Sequence, residues 1–228
     1  MQIIENIFKV LERYGYLFIE GTKVTLEFSL IAVSGGVIFG FIIAMMKRSQ
    51  FKLFGVKPLS LISGFYIEIV RGTPILLQLY LFYFWIPDAL PFLHLTKFGS
   101  IALALICNSA AYVSEIIRAG IEAVDKGQME AARCLGLSHS MAMRKIIMPQ
   151  AMKNILPALC NEFIMMIKET SLASTFFAGD IMTQYNVVNG ALFLVIEPLI
   201  IVGVIYFVLT FGLSKAVGAY ERRIKKND

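Results

Sequence analysis

The sequence predicts an all-α, polytopic membrane protein with about five transmembrane helices, and three observations carry that reading. Of its 228 residues, 57% are hydrophobic and only 16% charged, whereas a soluble domain carries about 25% charge. The mean hydropathy is +0.72, so charge is too scarce to coat a surface facing water. Uncharged runs recur near the length of one bilayer crossing, roughly 20 residues of helix. Five crossings leave room for short loops and one longer excursion, and for no separate catalytic domain.

Ile4, Phe8, Leu11 and Tyr14 recur at helical spacing beside Glu5, Lys9 and Arg13, which predicts an interfacial helix over 1–20. Glu5 and Glu12 interrupt any short apolar core, so the segment does not read as a secretory signal. Uncharged runs then cover 28–46, 72–87, 98–114, 181–196 and 198–214. The last two are divided only by Glu197 and are read as one span over about 187–211, preceded by an external loop. A weaker segment, 155–173, supplies the fourth span. It holds Glu162, Lys168 and Glu169, and ionisable groups inside a span face protein or water and are functional candidates.

The second segment, 59–86, makes a helix of roughly 42 Å, longer than the hydrocarbon core. Thr73 before Pro74 is an N-cap and first-turn signal, and Pro74 frees the Val70 carbonyl in any unbroken helix. A kink or break is therefore expected at 71–74. A half-helix N-terminus there offers free N–H groups to an anionic group such as a carboxylate. The alternative is a plain proline kink with Glu68 and Arg71 paired one turn apart.

Between the third and fourth spans, 127–137 reads as a helix of about two turns. Gly136 stands where a left-handed cap is wanted and Leu137 can pack back on the last turn. Ser138 or Ser140 then caps a second short helix running to Met148, which Pro149 ends. Ala131 and Ala132 leave one face nearly bare for close approach of another protein, while Met129 and Leu135 suit apolar pockets.

Lysine and arginine set the orientation. Lys47, Arg48, Lys52 and Lys57 follow the first span, Lys126, Arg133, Arg144, Lys145 and Lys153 the third, and Arg222, Arg223, Lys225 and Lys226 the fifth. The other side has only Lys9, Arg13, Lys23 and Lys97, which places the N-terminus outside and the C-terminus in the cytoplasm. The net charge of +5 thus reports membrane topology, with membrane lipid as the partner and no nucleic acid. Three cysteines and two histidines lack ligand spacing, so no metal site is expected. With no internal repeat or linker, 1–228 is one domain.

Five stretches resemble a known family. GQMEAARCLGLSHSMAMRKIIMPQAMKNILPAL, from Gly127, resembles the "EAA" loop of ABC-importer permeases, and its Pro149-Gln150-Ala151 resembles the polar-amino-acid branch. The stretches 21–26, 68–78, 111–121 and 168–173 resemble the same branch in the same order. The resemblance implies the permease subunit of an ATP-driven importer that moves a polar amino acid across the bacterial cytoplasmic membrane by alternating access. It implies pairing with a second copy or a paralogue, two ATP-binding cassette subunits and an external amino-acid-binding protein. No cofactor belongs to this chain, which is not itself an enzyme: ATP and Mg are held by the partner ATPase. The cytoplasmic EAA loop, 127–148, becomes a coupling element docked on that ATPase, through Gly127, Gln128, Met129, Glu130, Ala131, Ala132, Leu135, Gly136 and Leu137.

The five span middles bring Gly35, Gly36, Glu68, Arg71, Asn108, Ser109, Asn161, Glu162 and Glu197 to one depth. That pattern predicts a polar midplane cavity, with Glu68, Arg71, Thr73, Asn108, Asn161, Glu162, Ser171 and Glu197 as candidate substrate-binding residues. On the fourth span Glu162, Met165, Met166 and Glu169 share one face, and Asn161, Ile164, Lys168 and Ser171 another. If Glu68 and Arg71 neutralise each other, Glu162 and Glu197 leave a negative excess that favours arginine, lysine or histidine over glutamine or cystine. A secondary transporter usually shows inverted repeats, and a membrane-embedded enzyme needs a nucleophile, metal or cofactor motif. The sequence has neither, nor the nucleotide-binding pattern G-x-x-x-x-G-K-[ST].

Overall fold

No proline withholds a backbone N–H between residues 2 and 48, and the computed structural model, which describes residues 2–225, forms one uninterrupted helix there, α1 (Gln2–Arg48). Its 47 residues span about 70 Å, more than twice the roughly 30 Å hydrocarbon core. The interfacial helix expected over 1–20 is thus not a separate element but the first turns of α1. Val10 and Phe18 on those turns are buried, in one cluster with Ile181, Val188, Ile201 and Val202.

The second span is broken, as its Gly-Thr-Pro sequence predicts. Helix α2 (Pro58–Gly72) meets α3 (Ile75–Ala89) at 107°. Helix α4 (Lys97–Glu122) begins at Thr96, whose hydroxyl accepts from the Gly99 N–H at 3.0 Å. It lies unusually close to α1: a Cβ on Gly36 would stand 2.5 Å from Ser109 Oγ, and one on Gly40 2.8 Å from the Ala110 carbonyl. Small residues permit such backbone approach between membrane helices.

Asp125 caps α5 (Lys126–Cys134), its carboxylate accepting from the Gly127 N–H at 2.6 Å. The helix closes as its sequence predicts, with Gly136 at φ 82 and the Leu137 N–H donating to the Ala132 carbonyl at 3.1 Å. Ser138, rather than Ser140, caps the next helix by accepting from the Met141 N–H. Pro149 does not end that helix. A wide turn over Met143–Ile147, in which the Met148 N–H reaches back to the Met143 carbonyl, delivers the chain into Met148–Glu169 without a break. A π turn leaves the space a proline ring needs, so 139–169 is a single helix, α6.

A tight stretch, Thr170–Phe176, follows, and then α7 (Ile181–Leu192). Phe193, left-handed at φ 54, separates α7 from α8 (Ile196–Lys225). The fifth span therefore begins at Ile196 and not near 187, and the expected external loop is largely the helix α7. Lys226, one of the basic residues used for orientation, lies outside the described residues.

By length and composition α1, α4 and α8 are able to cross a membrane, and the bent pair of α2 and α3 together has the length and apolarity of a broken span or a re-entrant loop. Helix α6 packs among α1, α4 and α8 and carries Lys153, Glu162, Lys168 and Glu169 along its length. Beyond the first turns of α1, the buried apolar residues that α1 shares with α4 and α6 fall into two clusters. One joins Phe28, Leu105 and Met166, the other Ala44, Val113 and Ile155. Gly36, Asn108, Ser109 and Glu162 occupy the depth between them.

Candidate substrate cavity

A cavity of about 330 Å³ opens at that depth. Its lining comes from three places: Thr73, Pro74 and Ile75 at the break, Asn108 and Tyr112 on α4, and Glu162, Met165, Met166 and Glu169 on α6. The α6 residues are those of one helical face, which a 100° step per residue puts in line. Ser109, fully buried, donates from Oγ to Glu162 Oε1 at 3.1 Å. Since Ser109 sits where a side chain on Gly36 would go, the glycine in α1 lets α4 bring that hydroxyl to the carboxylate.

The break is finished by a residue that the sequence reading passed over. Gln78 is buried, and its Nε2 donates to the Val70 carbonyl at 2.8 Å, the group Pro74 leaves without a partner, and to the Thr73 carbonyl and hydroxyl at 3.2 and 3.0 Å. Its Oε1 accepts from Asn108 Nδ2 at 2.9 Å. Thr73 does not cap α3: its hydroxyl donates back to the Ile69 carbonyl at 2.8 Å and so closes the end of α2.

Arg71 does not pair with Glu68. It lies 3.6 Å from Glu115 Oε2, with its guanidinium carbon 5.4 Å from the centre of the Tyr112 ring. Glu115 is also held by Arg118 at 2.8 Å. Glu68 is exposed and has no ion pair among the described residues. Asn161 is exposed and Ser171 half-buried, and neither lines the cavity. Glu197 is buried at the start of α8, where its Oε1 accepts from Asn6 Nδ2 at 2.9 Å. It belongs with the first turns of α1, because the fifth span begins nine residues later than its hydropathy suggests. The carboxyl groups at the cavity are therefore those of Glu162 and Glu169. Of the eight substrate-binding candidates only Thr73, Asn108 and Glu162 line it, with Arg71 beside it through Tyr112.

On α5 the two alanines part company. Ala132 is 1% exposed and packs inward, whereas Leu135 is 82% exposed. Gln128, Glu130 and Ala131 are exposed too, while Met129 packs against the cluster around Ile117 and Ile147. The free face of the excursion thus runs through Ala131 and Leu135.

The family model described as "Binding-protein-dependent transport system inner membrane component" matches residues 36–226. The chain belongs to this family. Among its relatives is the arginine transport system permease protein ArtQ of Bacillus subtilis (strain 168), 42% identical over 92% of this chain and 93% of that one. The glutamine transport system permease protein GlnP of Escherichia coli (strain K12) is 33% identical over the same 92% and 93%. A solved amino acid ABC transporter with histidines matches with a TM-score of 0.88 at 46% identity, covering 95% of this chain and 98% of that one. The methionine transporter MetNI, at 16% identity and a TM-score of 0.75, shares the fold. The chain is a membrane-embedded permease subunit of an amino-acid ABC importer, and ATP hydrolysis sits in a separate subunit.

Proposed function

We propose that this permease moves cationic amino acids, with the cargo resting in the cavity between the broken second span, α4 and α6. The observation that carries the reading is the composition of the lining: Glu162 and Glu169 border the cavity and, among the described residues, no lysine or arginine does. Arg71, which lies over the ring of the lining residue Tyr112, pairs with Glu115 at 3.6 Å. A guanidinium or ammonium group supplies the missing charge opposite Glu162. The N–H groups opening α3 at Ile75 and Leu76, with the helix dipole behind them, suit the cargo's carboxylate. Met165 and Met166 give a polarizable wall for an aliphatic stem. The arginine system among the relatives and the solved transporter with histidines support this choice. The glutamine systems support a second reading, in which the cavity takes an uncharged amide.

In the working complex the permease pairs with a second copy or a paralogue, rests on two ATP-binding cassette subunits that hold ATP and Mg, and receives cargo from an external binding protein. The coupling surface is α5, docked through Ala131 and Leu135. The N-terminus lies outside, because the basic residues at the end of α1 and around α5 gather at one end of the bundle, the end an ATPase would occupy.

The test is equilibrium binding to the purified permease–ATPase complex without the binding protein. Bound labelled arginine should be displaced by lysine and histidine. Glutamine, lacking the charge, should compete at least roughly 30-fold more weakly, since an unpaired buried charge costs about 2 to 5 kcal/mol. Equal displacement by glutamine would overturn the cationic reading.

A further inference from the structure

Gln78 touches both the break and the cavity wall. Its Nε2 holds the Val70 and Thr73 carbonyls, and its Oε1 receives the Asn108 amide. Asn108 lines the cavity, and among the described hydrogen bonds none ends on its Oδ1. An amide has two ends, and this one is polarised from both: a guest that donates to Asn108 Oδ1 strengthens the bond that Nδ2 gives to Gln78. Gln78 in turn sets the direction in which α2 ends and α3 begins, because the carbonyls it satisfies are those left open around Pro74. Thr73, Pro74 and Ile75 then return to the cavity as its wall.

We propose that Gln78 is a positioning residue that links occupation of the cavity to the geometry of the broken span. Cargo that bonds Asn108 tightens the Asn108–Gln78 bond and fixes the bend at 71–74, and a movement of the bend pulls Asn108 away from the cargo. By reciprocity the two effects are equal in free energy. The inference rests on the cavity being the cargo site.

Two substitutions separate the halves of the linkage. Gln78→Glu keeps an oxygen for the Asn108 amide and loses the donors to Val70 and Thr73. Gln78→Met keeps the length and loses both. In the reconstituted importer with its binding protein and ATPase, Gln78→Glu should leave the KM for arginine within about threefold while cargo-stimulated turnover falls at least tenfold. Gln78→Met should also raise the KM by up to about tenfold, the loss of one net hydrogen bond. Wild-type KM and turnover in Gln78→Met, or two variants with one indistinguishable defect, would overturn the linkage and leave Gln78 a structural filler. If Gln78→Glu does not assemble, Gln78→Met decides alone, by whether its KM and turnover both move. A Glu162→Gln arm keeps the two claims apart. No change in KM there fails the cavity reading, whereas a changed KM with unaffected Gln78 variants fails only the linkage.

Discussion

At Pro74 the second segment breaks through 107°, whereas at Pro149 the helix α6 widens for one turn and runs on from 139 to 169. Both prolines lack the N–H that an α-helix needs. At Pro149 the backbone absorbs the defect, with the Met148 N–H reaching one residue further back. At Pro74 the backbone gives way after Gly72 and a side chain, Gln78, takes up the open carbonyls. The difference matches what each segment must do. A span that walls a polar cavity gains from exposed backbone and short polar side chains. A helix that joins the proposed coupling surface to Glu162 and Glu169 gains from continuity, since a rigid element carries a displacement that a break would absorb.

Within this comparison the larger effect is expected from cutting the far end of that strut. Leu135→Asp places a charge on the exposed leucine that caps the C-terminal end of α5 and leaves the packing of Ala132 untouched. Truncated anchors at the centre of an interface cost about 2 kcal/mol or more. Cargo-stimulated ATP hydrolysis should fall at least tenfold, or the ATPase should dissociate on size-exclusion chromatography. Arginine binding to the permease should stay within about twofold. Normal stimulated hydrolysis would remove α5 from the coupling surface.

A smaller contrast lies in the prolines themselves. Pro74→Ala restores a donor where the cavity wall depends on its absence, and arginine affinity should fall several-fold. Pro149→Ala changes a site that the π turn already accommodates, and its effect on thermal stability should lie within about 0.5 kcal/mol, the range of ordinary surface changes. Equal losses of affinity in the two variants would erase the distinction between the broken span and the strut.

Much of this was readable from the chain because the signals are local. Gly72, Thr73 and Pro74 announce the break, Gly136 announces the cap it forms, and the 100° step puts Glu162 and Glu169 on one face. What was not readable has physical reasons. The wide turn before Pro149 leaves no trace in a 3.6-residue period, so the proline reads as a stop. Phe193 ends α7 in a left-handed conformation without the glycine that usually marks one. The absence of a proline between Tyr14 and Phe28 allows α1 to run through Gly15 and Gly21, although its amphipathic start suggests an independent helix. Arg71 reaches Glu115 and Gln78 reaches Asn108 across spans, and sequence spacing favours the neighbour one turn away. Glu197 was misplaced with them because the start of its helix was.

Whether Glu162 sets the charge of the cargo is the claim on which most depends. Equilibrium binding of labelled arginine and labelled glutamine to the purified permease–ATPase complex, wild type beside Glu162→Gln and without the binding protein, tests it directly. The substitution keeps the shape and removes one member of a desolvated charge pair, so arginine affinity should fall at least roughly 30-fold while any glutamine binding changes by no more than about threefold, the factor of a half-strength neutral hydrogen bond. Equal losses for both amino acids, or an unchanged affinity for arginine, would contradict it.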